Sequence, residues 1–223
     1  AMPRTRLRSS RLCRTKLPPR CPDNVPATLL EAISAMNLLA TDIAHPNEIL
    51  AFWFAEATQP LWFASTPDFD EALRARFLAT YRAAAAGQLA EWEATPEGAL
   101  ALVIVLDQFP LNLFRGRAES FATEAAARAV ADRAIACGFD QAVPPIQRQF
   151  LYLPFMHSET LVDQEHSVRL YQQPGLEDSL RFARHHRDLI ARFGRFPHRN
   201  APLGRASTAE EIAYLVSPGA FNG

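Results

Sequence analysis

Signals that start and stop helices recur along almost the whole chain and leave little room for another fold class. Pro46, at a first-turn position, opens residues 47–56 with Ile49, Phe52 and Trp53 on one face. Pro67-Asp68 opens a long helix through Leu73, Phe77, Leu78 and Tyr81 that closes near Gly87. Thr95-Pro96-Glu97 starts residues 98–107. A helix over 120–137 stops at Gly138, and Pro144-Pro145 starts one that reaches Leu153. Ser158 is placed to cap residues 159–171, and Gly194 stops a helix over 175–193. Ser207 or Thr208, each followed three residues later by Glu210 or Glu211, forms a capping box before residues 212–216. No alternating β pattern competes, because Val103-Ile104-Val105 lies inside a capped helical frame. The spacing predicts a single all-α domain over residues 46–223, with about nine helices packed as helical hairpins. No repeat of fixed period is visible.

Charge divides the chain. Residues 1–20 carry seven basic residues and no acid, which leaves 16 basic and 24 acidic residues in the rest, a net of −8. A body that acidic excludes general nucleic-acid binding, which needs a positive surface. The longest apolar run, residues 99–106, is too short for a membrane span. Residues 1–45 read as a basic, disordered extension with a short helix over 28–40; a transit peptide and a later start at Met36 are alternative readings. Lys16 is the sole lysine, so Schiff-base chemistry and a P-loop are not expected in the body. Cys13, Cys21 and Cys137 make an odd count without Cys-x-x-Cys spacing, which points to a reducing, cytoplasmic setting. Cys137, just before Gly138, reads as a small packing residue. No metal and no cofactor are expected.

Polar residues with chemical potential gather in a few places. The segment 193–200 holds Arg195, His198, Arg199 and Asn200 in a stretch that Gly194 and Pro197 keep out of regular helix. Arginines there offer planar, forked donors to a carboxylate or phosphate, and Arg192, Arg195, Arg199 and Arg205 are the only dense basic group of the body. The structural alternative pairs them with Asp107, Glu159 or Glu165 to tie helices together. Asp107 ends an apolar helix where Pro110 turns the chain; the structural reading has Asp107 and Asn112 satisfy backbone groups at that turn, and the functional one makes Asp107 a carboxylate at a pocket floor paired with Arg115. His157 lies in a loop beside a helix start with Glu159 close by, which suits a proton shuttle or a ligand. In Arg184-His185-His186, adjacent helical positions diverge by about 100°, so one histidine faces in and the other out. Serine-triad, nucleotide-loop and zinc-finger motifs are missing.

The blocks Ile49-Leu50-Ala51-Phe52-Trp53-Phe54, Trp62-Phe63, residues 106–112, residues 152–159, Gln164-Glu165 and residues 193–200 together resemble the DUF924 family of uncharacterised bacterial proteins. The resemblance implies a tetratricopeptide-like helical architecture and no activity. One departure is Leu111, where the family pattern usually has arginine after Asp-Gln-Phe-Pro.

Three functions are compatible with these residues. The leading expectation is a pocket for a small anionic ligand or peptide carboxylate, lined by Asp107, Arg115, His157, Glu159, His185, Arg195, His198, Arg199 and Asn200, with Arg195 and Arg199 as clamps. The second is a hydrolase-type enzyme with His157 or His198 as general base and Glu159 as its orienting partner. The third is a protein-interaction scaffold whose groove exposes Trp53, Trp62 or Phe63.

Overall fold

The computed structural model describes residues 43–221, and among them every regular element is helical. The predicted extension over 1–45 therefore lies almost wholly outside the described residues, with its short helix, Cys13 and Cys21. The α-helices are α1 (Pro46–Trp53), α2 (Pro67–Ala85), α3 (Pro96–Asp107), α4 (Phe109–Leu113), α5 (Glu124–Ala136), α6 (Pro145–Met156), α7 (Leu161–Leu170), α8 (Glu177–Phe193) and α9 (Ala209–Leu215). Among the described residues, no helix is long and apolar enough to cross a membrane.

The predicted starts hold because the local chemistry that makes them is short-ranged. Thr66 and Thr95 accept the backbone N–H groups of Phe69 and Gly98, and a proline follows each cap. The capping box is Thr208 with Glu211, not Ser207 with Glu210. Several boundaries differ: the helix predicted over 120–137 begins at Glu124, after a 3-10 turn over Ala118–Phe121, and α1 ends at Trp53 rather than near residue 56. Thr160, not Ser158, caps α7, because the Ser158 hydroxyl donates to Asp163 Oδ2 at 2.6 Å instead. α6 runs past Leu153 to Met156 with Pro154 inside it, and the helical bond from His157 N–H to Leu153 O closes its last turn at 2.9 Å. Pro110 restarts the helix rather than ending it. It sits in the first turn of α4, where a missing N–H costs nothing. Cys137 is the C-cap of α5 and is exposed, so it packs against nothing in the core.

α3 lies at the centre. Every residue from Gly98 to Asp107 is buried, so the helix is covered on all sides, as its apolar circumference requires. α1, α2, α5 and α6 pack around it, and α6 to α8 follow in succession, each on the one before. The main core runs from Ile49 to Ala183, with Trp53, Phe77, Phe109 and Phe150 fully enclosed. A second, smaller cluster joins Leu189, Ile190 and Phe196 to Phe193, Tyr214 and Phe221. It folds the segment after α8 back over the end of the bundle. Of the three aromatics that would mark a protein-binding groove, Trp53 is buried, Trp62 half-buried and Phe63 71% exposed.

Candidate functional site

Five chain segments meet where the smaller cluster joins the main core. The end of α3 supplies Asp107, the first residue of α5 supplies Glu124, and the C-cap of α6 supplies His157. The turn before α7 supplies Glu159, and the segment after Gly194 supplies His198, Arg199, Asn200 and Arg205. Two hydrogen bonds set the frame. Thr123 Oγ1 donates to Leu106 O at 2.6 Å, which ties the start of α5 to the end of α3. Gln164, wholly buried, donates to Met156 O at 2.6 Å and to Ser158 O at 2.7 Å, which holds the turn that carries His157.

His157 Nδ1 lies 3.0 Å from Asp107 Oδ1; the carboxylate is fully enclosed and the imidazole side chain 16% exposed. Gln108 Nε2 donates to the other carboxylate oxygen at 2.5 Å. The imidazole Nε2 has no hydrogen-bond partner among the described residues. Asp107 therefore faces His157, and Arg115 is elsewhere.

Glu159 is not the partner of His157. Arg205 grips it with two bonds, 2.6 and 2.9 Å, and Phe196 N–H donates to it at 2.8 Å. Burial alone would raise the Glu159 pKa; Arg205 and the Phe196 amide outweigh it and hold the carboxyl below its ordinary value. Asn200 completes this brace: its oxygen accepts from Arg205 Nε at 3.0 Å, and its nitrogen donates to Ser207 Oγ at 3.1 Å.

Arg199 is 5% exposed, and its guanidinium carbon lies over the rings of Phe121 and Phe196, 4.6 Å from each centroid. Its Nη1 is 2.9 Å from Glu124 Oε1, an ionic contact without the alignment of a hydrogen bond. Glu124 Oε1, Arg199 Nε and His198 Nδ1 are thus all buried with no hydrogen-bond partner. Burial raises the Glu124 pKa, opposed by the charges of Arg199 and His157; it lowers that of Arg199, opposed by Glu124. Burial and Arg199 push His198 down to about 4, so its ring is neutral at neutral pH.

The remaining expected residues lie outside this group or brace it. Arg115 is exposed and bound by Asp70 at 2.8 and 3.1 Å, with Asn112 Oδ1 at 3.0 Å, on the wall of a separate surface hollow that it shares with Ser65, Arg74 and Arg117. Arg195 makes two bonds to Glu211, 2.6 and 2.8 Å, and pulls that carboxyl down to about 2. His185 packs edge-on to His186 and Phe221, half-buried, while His186 is the inward histidine. Glu124 and Phe121 were not anticipated from sequence. A glutamate at the first position of a helix reads as a dipole partner, and nothing local says that an arginine 75 positions later will reach it. Among the described residues, no set of three His, Cys, Asp or Glu side chains is grouped to hold a metal ion.

Residues 49–219 match the family described as "Bacterial protein of unknown function (DUF924)". A solved structure, "Structure of Protein of Unknown Function ATU0120 from Agrobacterium tumefaciens", is similar at 44% sequence identity and a TM-score of 0.74, over 77% of this chain and 96% of that one. No curated protein matches. The chain belongs to the DUF924 family.

Proposed function

We propose that the Asp107–His157 pair is the acid–base centre of a hydrolase-type catalyst. The observation that carries this reading is the 3.0 Å contact between an enclosed carboxylate and a partly exposed imidazole whose other nitrogen is unpaired. A buried carboxylate on Nδ1 fixes the ring orientation and leaves Nε2 to accept a proton, here from water. Ser158 does not compete as a nucleophile, because its hydroxyl is engaged by Asp163.

An anion held by an arginine clamp has less support. Arg195, Arg199 and Arg205 each already face a carboxylate. Packing of consecutive helices from α5 to α8 supports the tetratricopeptide-like architecture, and the odd cysteine count a cytoplasmic setting.

The test is turnover of a panel of 4-nitrophenyl esters and 4-nitroanilides by the wild type, His157→Ala and Asp107→Asn. Loss of a general base costs roughly 100- to 10,000-fold in rate. Asp107→Asn should also shift the His157 tautomer, read from ¹⁵N ring shifts. A folded His157→Ala variant that keeps the wild-type rate would overturn the reading.

A further inference from the structure

We infer that the surface hollow between the start of α2 and the turn after α4 binds a small organic carboxylate, with the Arg74 guanidinium as its anchor. None of the residues lining it belongs to the Asp107–His157 pair, so the inference does not rest on the catalytic reading.

The hollow has room for a ligand. Its volume is about 460 Å³, within the range of about 300–1,000 Å³ that small-molecule sites occupy. Its walls are fixed to each other before any ligand arrives. Arg74, half-buried on α2, donates through Nη2 to Leu113 O. Arg115 binds Asp70 through Nε and Nη2, and Ser65 Oγ donates to the same carboxylate at 2.5 Å. The two arginine bonds join positions 39 and 45 residues apart in the chain. Donors held in place in advance cost little to use.

What holds Arg74 sets it apart from Arg195, Arg199 and Arg205. Each of those faces a carboxylate at 2.9 Å or less. In the hollow, Arg115 likewise has Asp70 and Arg117 has Glu119. The hydrogen bond of Arg74 goes instead to an uncharged carbonyl. Its closest carboxylate, Glu71, stands 3.7 Å away with 74% of its side chain exposed. An exposed pair of that kind contributes little, so the charge of Arg74 is fixed in place and poorly matched. The Nη1 groups of Arg74 and Arg115 make no hydrogen bond among the described residues. A carboxylate can accept from such groups with both of its oxygens.

The rest of the lining selects a carboxylate among anions. Three arginines, Arg74, Arg115 and Arg117, face two acids there, Asp70 and Glu71, so one added negative charge is matched. The second charge of a phosphate would fall against Asp70 and Glu71 with no arginine left for it. Pro67 and Phe114 add an apolar wall, and the Phe114 ring centroid is 5.9 Å from the Arg74 guanidinium carbon. That wall suits a hydrocarbon group carried by the carboxylate.

Four probes test this. The full chain, ¹⁵N-labelled at arginine, is titrated at low salt and neutral pH with benzoate, benzamide, acetate and inorganic phosphate, and the Nε–H signals of Arg74 and Arg115 are followed by NMR. Benzoate should give saturable shifts. The others should bind at least tenfold more weakly: benzamide for want of charge, acetate for want of an apolar body, phosphate for its second charge. Arg74→Gln, read at Arg115, should weaken benzoate binding at least tenfold. Arg74 also holds Leu113 O, so Arg117→Gln, at an exposed position outside that frame, is the second variant and should weaken benzoate threefold or more, read at Arg74. No saturable shift with benzoate would overturn the inference. So would equal or tighter binding of any other probe, or benzoate binding at wild-type strength by both variants.

Discussion

His186 and His198 are kept neutral mainly by burial, His186 down to about 3 and His198 to about 4. His186 is 5% exposed, with Nδ1–H donating to Phe182 O at 2.8 Å. In the unfolded chain both titrate near the ordinary histidine value, so below about pH 6.5 the unfolded state binds protons that the folded state refuses. Stability is complete above that value and is lost as pH falls toward the folded values. Each histidine removes on the order of 1.4 kcal/mol per pH unit once its unfolded form is charged. Urea unfolding between pH 7 and pH 5, above the carboxylate range, should show this slope, and His186→Phe should roughly halve it, leaving the His198 share. An unchanged slope would mean that His186 is protonated in the fold. Glu159 is the converse case, a carboxylate held ionised. Glu159→Ala removes the partner of Arg205 and the acceptor for Phe196 N–H, and should cost about 1.5–3 kcal/mol in the same measurement. That Arg195, His198, Arg199 and Asn200 form an irregular polar segment was legible from Gly194 and Pro197. Glu159 was among the carboxylates expected to tie these arginines down, and Arg205 holds it; Glu124 and Glu211, the partners of Arg199 and Arg195, were not, because they come from other places in the chain.

Helix starts were legible because a cap and its N–H lie within three residues. Thr95 and Thr208 are where the pattern put them, and Thr66 caps α2 just before the Pro67 that announced it. The misplaced boundaries have tertiary causes. Ser158 looks like a cap, but Asp163 takes its hydroxyl. Thr123 precedes α5 but leaves its helix uncapped, because its hydroxyl reaches across to Leu106 O. That bond ties the start of α5, and with it Glu124, to the end of α3, so Thr123→Val should loosen the Glu124–Arg199 contact, read as faster exchange of the Arg199 guanidinium protons by NMR. Gly98 illustrates the same point from the packing side. Alanine would ordinarily favour a helix, yet a Cβ here would lie 2.1 Å from Trp92 O, which belongs to the backbone of the preceding 3-10 turn. Gly98→Ala should therefore destabilise by about 1–3 kcal/mol, the cost of overpacking. A thermal midpoint at or above the wild type would show that the turn moves aside freely.

At the scale of the molecule, the site lies at the seam between two apolar clusters of unequal size. The main core extends from Ile49 to Ala183, whereas the smaller one is built on Leu189, Ile190 and Phe196. Asp107, Glu124 and His157 stand on helices of the first; Arg199, His198 and Arg205 are held by the second. Phe196 links them. It is fully buried, lies against Arg199, packs edge-on to His186 and tilted against His198, and lends its N–H to Glu159. The sequence announced both clusters as helices and turns but not their seam, because the seam depends on contacts across more than 35 positions, such as Glu159 with Phe196. Small clusters with many exposed neighbours open at lower free energy than large ones. Phe196→Ala should remove about 3–5 kcal/mol of packing, and that loss should fall mainly on the smaller cluster. Hydrogen exchange would then accelerate over residues 194–221 and at the Arg199 side chain, while α3 and α6 keep their protection. Uniform acceleration through α3 would instead mean that both clusters unfold as one unit, and that the C-terminal face of the site is as rigid as its base.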